Sequence, residues 1–280
     1  MDKDKEVIKE YYDYTLPFYR FFYHKESNAV HYGFWDKSVK NHTEALLNVN
    51  KFLAEAVGVK SGDVILDAGC GIGGSAIWLA KNYDTKVVGI TISEKQLEEA
   101  KNLSLKNKVD LATNFYKKDF LNSGFDNESF SVVWAIESVC HAEDKKDFLK
   151  EAYRLLKNGE RLVVDDGFLL RQPKDKHEEK DLSAFLEGMA LSNLAVESEF
   201  KKSLEEVGFK NIKIYDKANE TLPSAKKIYK MSIFSYPVSW VLEKLRITPS
   251  LLTKNNLAGI TQYRIIKNGI MGHRVFYAEK

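Results

Sequence analysis

The sequence predicts an α/β protein whose core is a parallel, doubly wound sheet. Three observations carry that expectation. Short apolar runs alternate with helix-like segments between residues 64 and 170, the rhythm of parallel strands joined by crossover helices. The first run, Val64 to Leu66, ends in Asp67 and a turn that holds Gly69, Gly71, Gly73 and Gly74. Behind the turn, Ser75 to Ala80 reads as a helix. Strand, glycine turn and helix together let a backbone approach a nucleotide closely, because side chains there would block it.

The elements follow in order. Val7, Ile8, Tyr11, Tyr12 and Thr15 recur at helical spacing, and Leu16-Pro17 predicts the end of that helix. Phe18, Tyr19, Phe21, Phe22 and Tyr23 come next, then His31-Tyr32-Gly33-Phe34-Trp35. These rings read equally as a face packed on the sheet or as a cap turned toward an apolar or cationic substrate. Asn41 to Val57 is an amphipathic helix closed by Gly58. The second strand is Lys86 to Ile90, and Ser93-Glu94-Lys95-Gln96 opens a helix as a capping box. The third strand, Ala112 to Tyr116, leads to Asp119-Phe120, and Phe130 to Ile136 is the fourth. A helix from Asp144 to Lys157, ended by Gly159, precedes the fifth strand, Arg161 to Asp166.

Past the fifth strand the rhythm changes. Leu182, Phe185, Leu186 and Met189 form a helical stripe that suits either a lid or a core helix. Glu197 to Val207 is a helix closed by Gly208, and Asn211 to Tyr215 is a strand. Ser224 to Leu245 is amphipathic, interrupted by Pro237, and carries Met231, Phe234 and Trp240. His273 to Ala278 supplies the seventh strand. The expected organisation is one domain over 1–280, with an N-terminal helical cap (1–60), a nucleotide-binding core (61–170) and remaining strands plus lid helices (171–280).

Composition excludes several classes. Lys plus Arg number 42 against 40 Asp plus Glu, which leaves no electrostatic case for nucleic acid as a partner. Cys70 and Cys140 are the only cysteines and imply no disulfide framework. The charged start, Met1 to Glu6, is no signal peptide, and no apolar run is long enough to span a bilayer. A cytoplasmic protein is expected. No cluster of ligand-type residues points to a metal.

The glycine turn fits two nucleotide fingerprints. Gly69, Gly71 and Gly74 match G-x-G-x-x-G, which asks for an acid at the end of the second strand to hold a ribose. That strand runs Val87-Val88-Gly89-Ile90-Thr91-Ile92-Ser93 and has no acid. Asp67 with Gly69, Gly71 and Gly73 instead forms D-x-G-x-G-x-G. With Gly89 to Gln96, Asp119-Phe120, Ala135-Ile136-Glu137-Ser138-Val139-Cys140-His141-Ala142 and the Leu155 to Gly159 turn, this resembles the class I S-adenosylmethionine (SAM) methyltransferases. The Ala-Ile-Glu-x-x-Cys-His-Ala run is most similar to the sterol and tocopherol C-methyltransferases and their bacterial relatives.

The resemblance implies a Rossmann-like, seven-stranded sheet with helical lid insertions. It also implies a SAM site. Gly69, Cys70, Gly71 and Gly73 would approach the methionine part, with Asp67 supporting its amino group. Thr91, Ile92 and Gln96 fall where this group meets the ribose, Asp119 and Phe120 where it meets the adenine. Ile136 and Glu137 would sit beside the sulfonium, and His31 to Trp35 matches the element that closes over the cofactor, with Trp35 among its contacts.

A sulfonium methyl is already electrophilic, so alignment and exclusion of water should supply most of the catalysis. Methylation of an alkene creates a carbocation that the faces of Tyr32, Phe34 or Trp35 could stabilise, and a base must then remove a proton. His141 and Glu137 are the base candidates, and Tyr32 joins them as a catalytic residue. The acceptor is expected to be an apolar small molecule of isoprenoid, sterol or tocopherol type. His31, Phe34, Phe185, Met189, Met231, Phe234 and Trp240 would line its pocket. A transient contact with a membrane surface fits the same residues. O- or N-methylation of a small metabolite is the alternative, and a SAM-binding module without catalysis the alternative of another class.

Overall fold

The structure, a computed structural model, describes residues 3–19 and 27–280. The expectations placed on Phe21, Phe22 and Tyr23, and on the side chains of Phe18 and Tyr19, lie outside what is described. The strands are β1 (Val64–Ala68), β2 (Lys86–Thr91), β3 (Thr113–Lys117), β4 (Phe130–Ile136), β5 (Leu156–Leu169), β6 (Lys210–Asp216) and β7 (Met271–Glu279). They form one sheet in the order β3-β2-β1-β4-β5-β7-β6. β7 pairs antiparallel with β5 and β6, and the other pairings are parallel.

The apolar runs are continuous because both faces of the sheet are covered. Successive side chains point to opposite faces. Leu66, Val133 and Leu162 therefore join one core with Phe148, Leu149, Phe200 and Leu204, from α5 (Lys145–Leu155) and α7 (Glu197–Val207). Ile65, Val132 and Trp134 join the other with residues of α2 (His42–Val57), α3 (Gly74–Asn82) and α4 (Glu94–Lys106). The cap at Ser93 and the stop at Gly58 form as expected, and Asn41 adds a cap at the start of α2. Asn41 accepts from the Glu44 N–H at 3.0 Å, Ser93 Oγ accepts from the Gln96 N–H at 3.1 Å, and Gly58 ends α2 in the left-handed region at φ 65°.

Four helices lie outside this frame: α1 (Lys3–Tyr19), α6 (Lys176–Gly188), α8 (Ala218–Lys244) and α9 (Ser250–Lys267). α6 and α9 share a small core in which Phe185, Ala258 and Ile265 meet Leu169 and Met271 from the sheet. α8 lies on α9 so closely that a Cβ on Gly259 would overlap Ser232.

Several expected boundaries differ. α1 runs on through Pro17 to Tyr19, the last described residue of that segment. α8 is one helix of 27 residues despite Pro223 and Pro237, since each proline removes a single ladder bond and packing on α9 holds the rest. α5 stops at Leu155 and the chain turns directly into β5, so Gly159 sits inside the pairing and not at a helix end. There its N–H donates to the Lys280 carbonyl at 3.1 Å. α9 has no counterpart among the predicted elements.

Candidate functional site: a cofactor cleft joined to an apolar cavity

The glycine turn forms where β1 ends. The N–H groups of Gly69 and Cys70 both donate to the Ile90 carbonyl, at 3.0 and 2.9 Å, and tie the turn to β2. Gly69, Gly71 and Gly73 have φ of 84°, 53° and 82°, a region that strains a residue carrying a side chain. A Cβ on Gly71 would meet nothing within 4 Å, because the turn opens onto a cleft of about 120 Å³.

Asp67, Gly69, Cys70, Thr91, Ile92, Gln96, Asp119, Phe120, Ile136 and Glu137 all line this cleft. Asp67 is buried and its Oδ2 has no partner; burial lifts its carboxyl to about 7 against the pull of the Ala76 N–H. An orphaned carboxylate oxygen is costly in a protein interior unless a ligand supplies the donor. Thr91 Oγ1 donates to Gln96 Oε1 at 2.7 Å. Asp119 accepts from the Leu121 N–H at 2.8 Å and pairs with Lys5 Nζ at 2.6 Å. These residues suit SAM: Asp67 would face its ammonium, the bare backbone at Gly71 would leave room for the methionine chain, and Asp119 would offer acceptors to an amine.

Gly73 shapes the turn without lining the cleft, since a Cβ there would run into Phe115. Trp35 is a correction. Its indole N–H donates to Ser224 Oγ at 2.9 Å and its ring stacks on His42, so it fastens α8 to the N-terminal segment and does not reach the cleft.

The cleft meets a cavity of about 640 Å³ at Tyr12, Val30, His31, Glu137 and His141, which line both. At this junction Glu137 has φ 45°, and its Oε1 accepts from the Tyr32 N–H at 2.7 Å. Burial raises its carboxyl to about 8, opposed by the His273 ring 3.7 Å away. Burial pulls His141 down to about 4 although the Ala190 backbone opposes, so its imidazole is neutral at pH 7. His141 Nε2 lies 2.7 Å from the Tyr12 hydroxyl. The Tyr32 hydroxyl donates to Gln262 Oε1, while its ring stands edge-on to His273. Burial works against a charge on His273, but Asp165 at 2.8 Å, with Glu137 and Asp166, outweighs it and lifts the imidazole to about 9.

Of the residues expected to hold the acceptor, His31, Phe185, Met189, Met231 and Phe234 line the cavity. Phe34 and Trp240 do not. Phe34 is 1% exposed and packs edge-on to Phe52 and His273, as core. Trp240 is 47% exposed on the outer side of α8, under Lys244. Tyr12, Lys5, Asp166, Gln262 and His273 were not singled out in the sequence. Each is joined to the site by contacts across at least 26 residues, as in Cys140 N–H to Asp166 and Tyr12 to His141, and no local pattern marks them.

A doubly wound sheet, a glycine turn at the end of β1 and an orphaned buried acid beside it make this the cleft of a nucleotide-type cofactor. Residues 66–164 match the methyltransferase domain model. The 27-O-demethylrifamycin SV methyltransferase of Amycolatopsis mediterranei is 34% identical over 199 residues, 71% of this chain and 72% of that protein. The cycloartenol-C-24-methyltransferase of Arabidopsis thaliana is 28% identical over 274 residues, 94% of this chain and 77% of that one. The fold is also that of geranyl diphosphate C-methyltransferase from Streptomyces coelicolor A3(2), solved with S-adenosyl-L-homocysteine. Their TM-score is 0.75 at 21% identity, covering 99% of this chain and 98% of that chain. The chain belongs to the methyltransferase family; it is an enzyme, and its cofactor is SAM.

Proposed function

We propose that the protein methylates a carbon of an apolar acceptor of isoprenoid or sterol type. The observation that carries this reading is the cavity of about 640 Å³, walled by Phe185, Met189, Met231 and Phe234, which meets the cofactor cleft at Glu137 and His141. A cavity of this volume and lining takes a drug-sized apolar ligand. The names of two relatives, a cycloartenol C-24-methyltransferase and a geranyl diphosphate C-methyltransferase, support it.

SAM supplies an electrophilic methyl group when bound. The chain aligns an alkene against it and keeps water out. Transfer to an alkene would leave positive charge on the carbon next to the one methylated, the sulfur keeping the electron pair of its former bond. The rings of Tyr12 and Tyr32, both at the cavity wall, face that charge. The Tyr12 hydroxyl, hydrogen-bonded to His141 Nε2, would then take the proton and pass its own to His141 Nε2. A neutral imidazole of low basicity suits this step, because a proton beside a carbocation is very acidic; it suits an alcohol poorly.

A second reading rests on Glu137. A carboxyl raised to about 8 matches the deprotonation of a phenolic hydroxyl, and the rifamycin relative is named for 27-O-demethylrifamycin SV. Incubation with methyl-labelled SAM and a panel of isoprenoid alkenes, sterols, polyketide alcohols and phenols separates the two. Label on carbon, lost in His141→Ala, supports the first reading. Label on oxygen, lost in Glu137→Gln and retained in His141→Ala, replaces it with the second.

A further inference from the structure

Seven of the described protein's exposed large apolar side chains fall within fifteen residues at the tip of the α8–α9 hairpin. They are Ile233, Phe234, Val238, Trp240, Val241, Leu245 and Ile247, with Phe234 79%, Leu245 64% and Ile247 65% exposed. Helix formation does not require them there, and an unpartnered apolar face of this density marks a binding surface. Its surroundings are basic. Between Ser224 and Asn256 the chain carries Lys226, Lys227, Lys230, Lys244, Arg246 and Lys254 against Glu243, and Lys254 pairs with Glu187 of α6 at 2.9 Å; the excess still exceeds the net +2 of the whole sequence.

The patch is also continuous with the cavity. Phe234 and Val238 belong to both, and Leu242 and Leu252 line the cavity beside them. The patch therefore borders the cavity that ends at Glu137 and His141. No helix among the described residues is long and apolar enough to cross a membrane, so the patch would lie on a surface without spanning it.

We propose that the hairpin tip, Ile233 to Ile247, docks on an anionic lipid surface, from which the cavity draws its acceptor. The second clause rests on the apolar-acceptor reading; the docking itself does not. Apolar side chains at a helix tip enter the acyl boundary, and Trp favours the interface. Long basic side chains keep their charges at the headgroups while their stems cover apolar surface, as Lys244 does over the Trp240 ring at 5.8 Å. Charge complementarity favours this partner over a second copy of the chain, which would bring the same six basic residues against their own kind.

Co-sedimentation with phosphatidylglycerol–phosphatidylcholine vesicles containing no acceptor tests the docking. The protein should bind these vesicles, bind pure phosphatidylcholine more weakly, and lose binding as salt rises. The variant Trp240→Ser/Leu245→Ser/Ile247→Ser touches no cavity-lining residue and should bind more than tenfold more weakly, by loss of apolar burial. Its SAM affinity, measured in parallel, shows that it is folded. Should it fail to fold, Lys244→Glu/Arg246→Glu leaves the apolar side chains intact and should weaken vesicle binding while keeping SAM affinity. Equal binding by variant and parent overturns the proposal, as does no binding by the parent. A dimer in sedimentation velocity that the triple variant abolishes gives the patch to a second copy instead. Turnover of a detergent-dispersed acceptor reads the acceptor assignment separately, whatever the vesicles show.

Discussion

The two walls of the site are built by different means. The floor of the cofactor cleft is one stretch of chain, residues 64–96, in which backbone conformation sets the shape: three glycines at positive φ and two N–H groups on one carbonyl. The acceptor wall is assembled from α1, α6, α8 and α9. Its parts meet across the whole sequence, as where Asn255 Nδ2 donates to the Tyr11 hydroxyl 244 residues away at 2.8 Å. A wall fixed by backbone tolerates almost no side-chain change. A wall of packed apolar side chains can exchange volume between helices, so it can be reshaped for a new acceptor while the cofactor end stays constant.

Substitutions should expose that contrast. Gly71→Leu should have the largest effect. The side chain is strained at φ 53° and fills the cleft, so SAM binding should weaken by roughly 100-fold or more in calorimetry. The melting temperature of the same variant should fall only by what the backbone strain costs, about 1–3 kcal/mol, because a Cβ there strikes nothing. His141→Ala should lower kcat by about 100- to 10,000-fold with a far smaller change in SAM affinity, the signature of a junction residue whose main work is in the chemical step. Steady-state kinetics beside SAM titration checks it. Gly259→Val should part from Gly71→Leu in SAM binding. Its Cβ overlaps Ser232, costing about 1–3 kcal/mol of stability in thermal melts while SAM affinity holds.

Protonation gives a subtler test of the cofactor wall. Asp67 holds its proton to about 7 in the folded protein, above its ordinary 3.8, so unfolding releases a proton between those values. Stability present below that window is therefore lost as pH rises through about 7, and Glu137 extends the loss toward about 8. Melting temperatures of the SAM-free protein should fall from pH 5 to pH 8, and Asp67→Asn should flatten the slope. SAM affinity should rise over the same range as the acid ionises to meet the ammonium. The smallest effect belongs to Trp240→Ala. Its half-exposed ring lies outside the cavity, so KM for a detergent-dispersed acceptor should stay within about twofold, and stability within ~0.5 kcal/mol.

The same contrast decided what could be read from the sequence. The seven strands, the cap at Asn41, the capping box at Ser93 and the glycine turn are local events, written in neighbouring residues. Asp67, Thr91, Gln96 and Asp119 follow from the resemblance to the SAM methyltransferases, and the pattern places them locally: three at or just past strand ends, Gln96 in the first turn of α4, and all four line the cleft. The acceptor wall was harder. Phe34, Trp35 and Trp240 are large aromatics in suggestive places, yet they serve as core, as an anchor for α8 and as part of the exposed tip. Nothing in their immediate neighbours distinguishes those fates. α9 escaped notice because Asn255, Asn256 and Gly259 interrupt its apolar pattern. Those residues are there for its partners: Asn256 bonds Ser235 and Ser239 across the hairpin, and Gly259 admits α8.

The central claim is that the cofactor's methyl group lies at the junction where Tyr12, Glu137 and His141 close the cleft against the cavity. SAM carrying a carbon-13 methyl, bound to the protein and observed by NMR, tests it most directly. Nuclear Overhauser contacts from that methyl to the ring protons of Tyr12 and His141 are the predicted result. Contacts confined to the Asp119–Phe120 end of the cleft, with none to either ring, would contradict it.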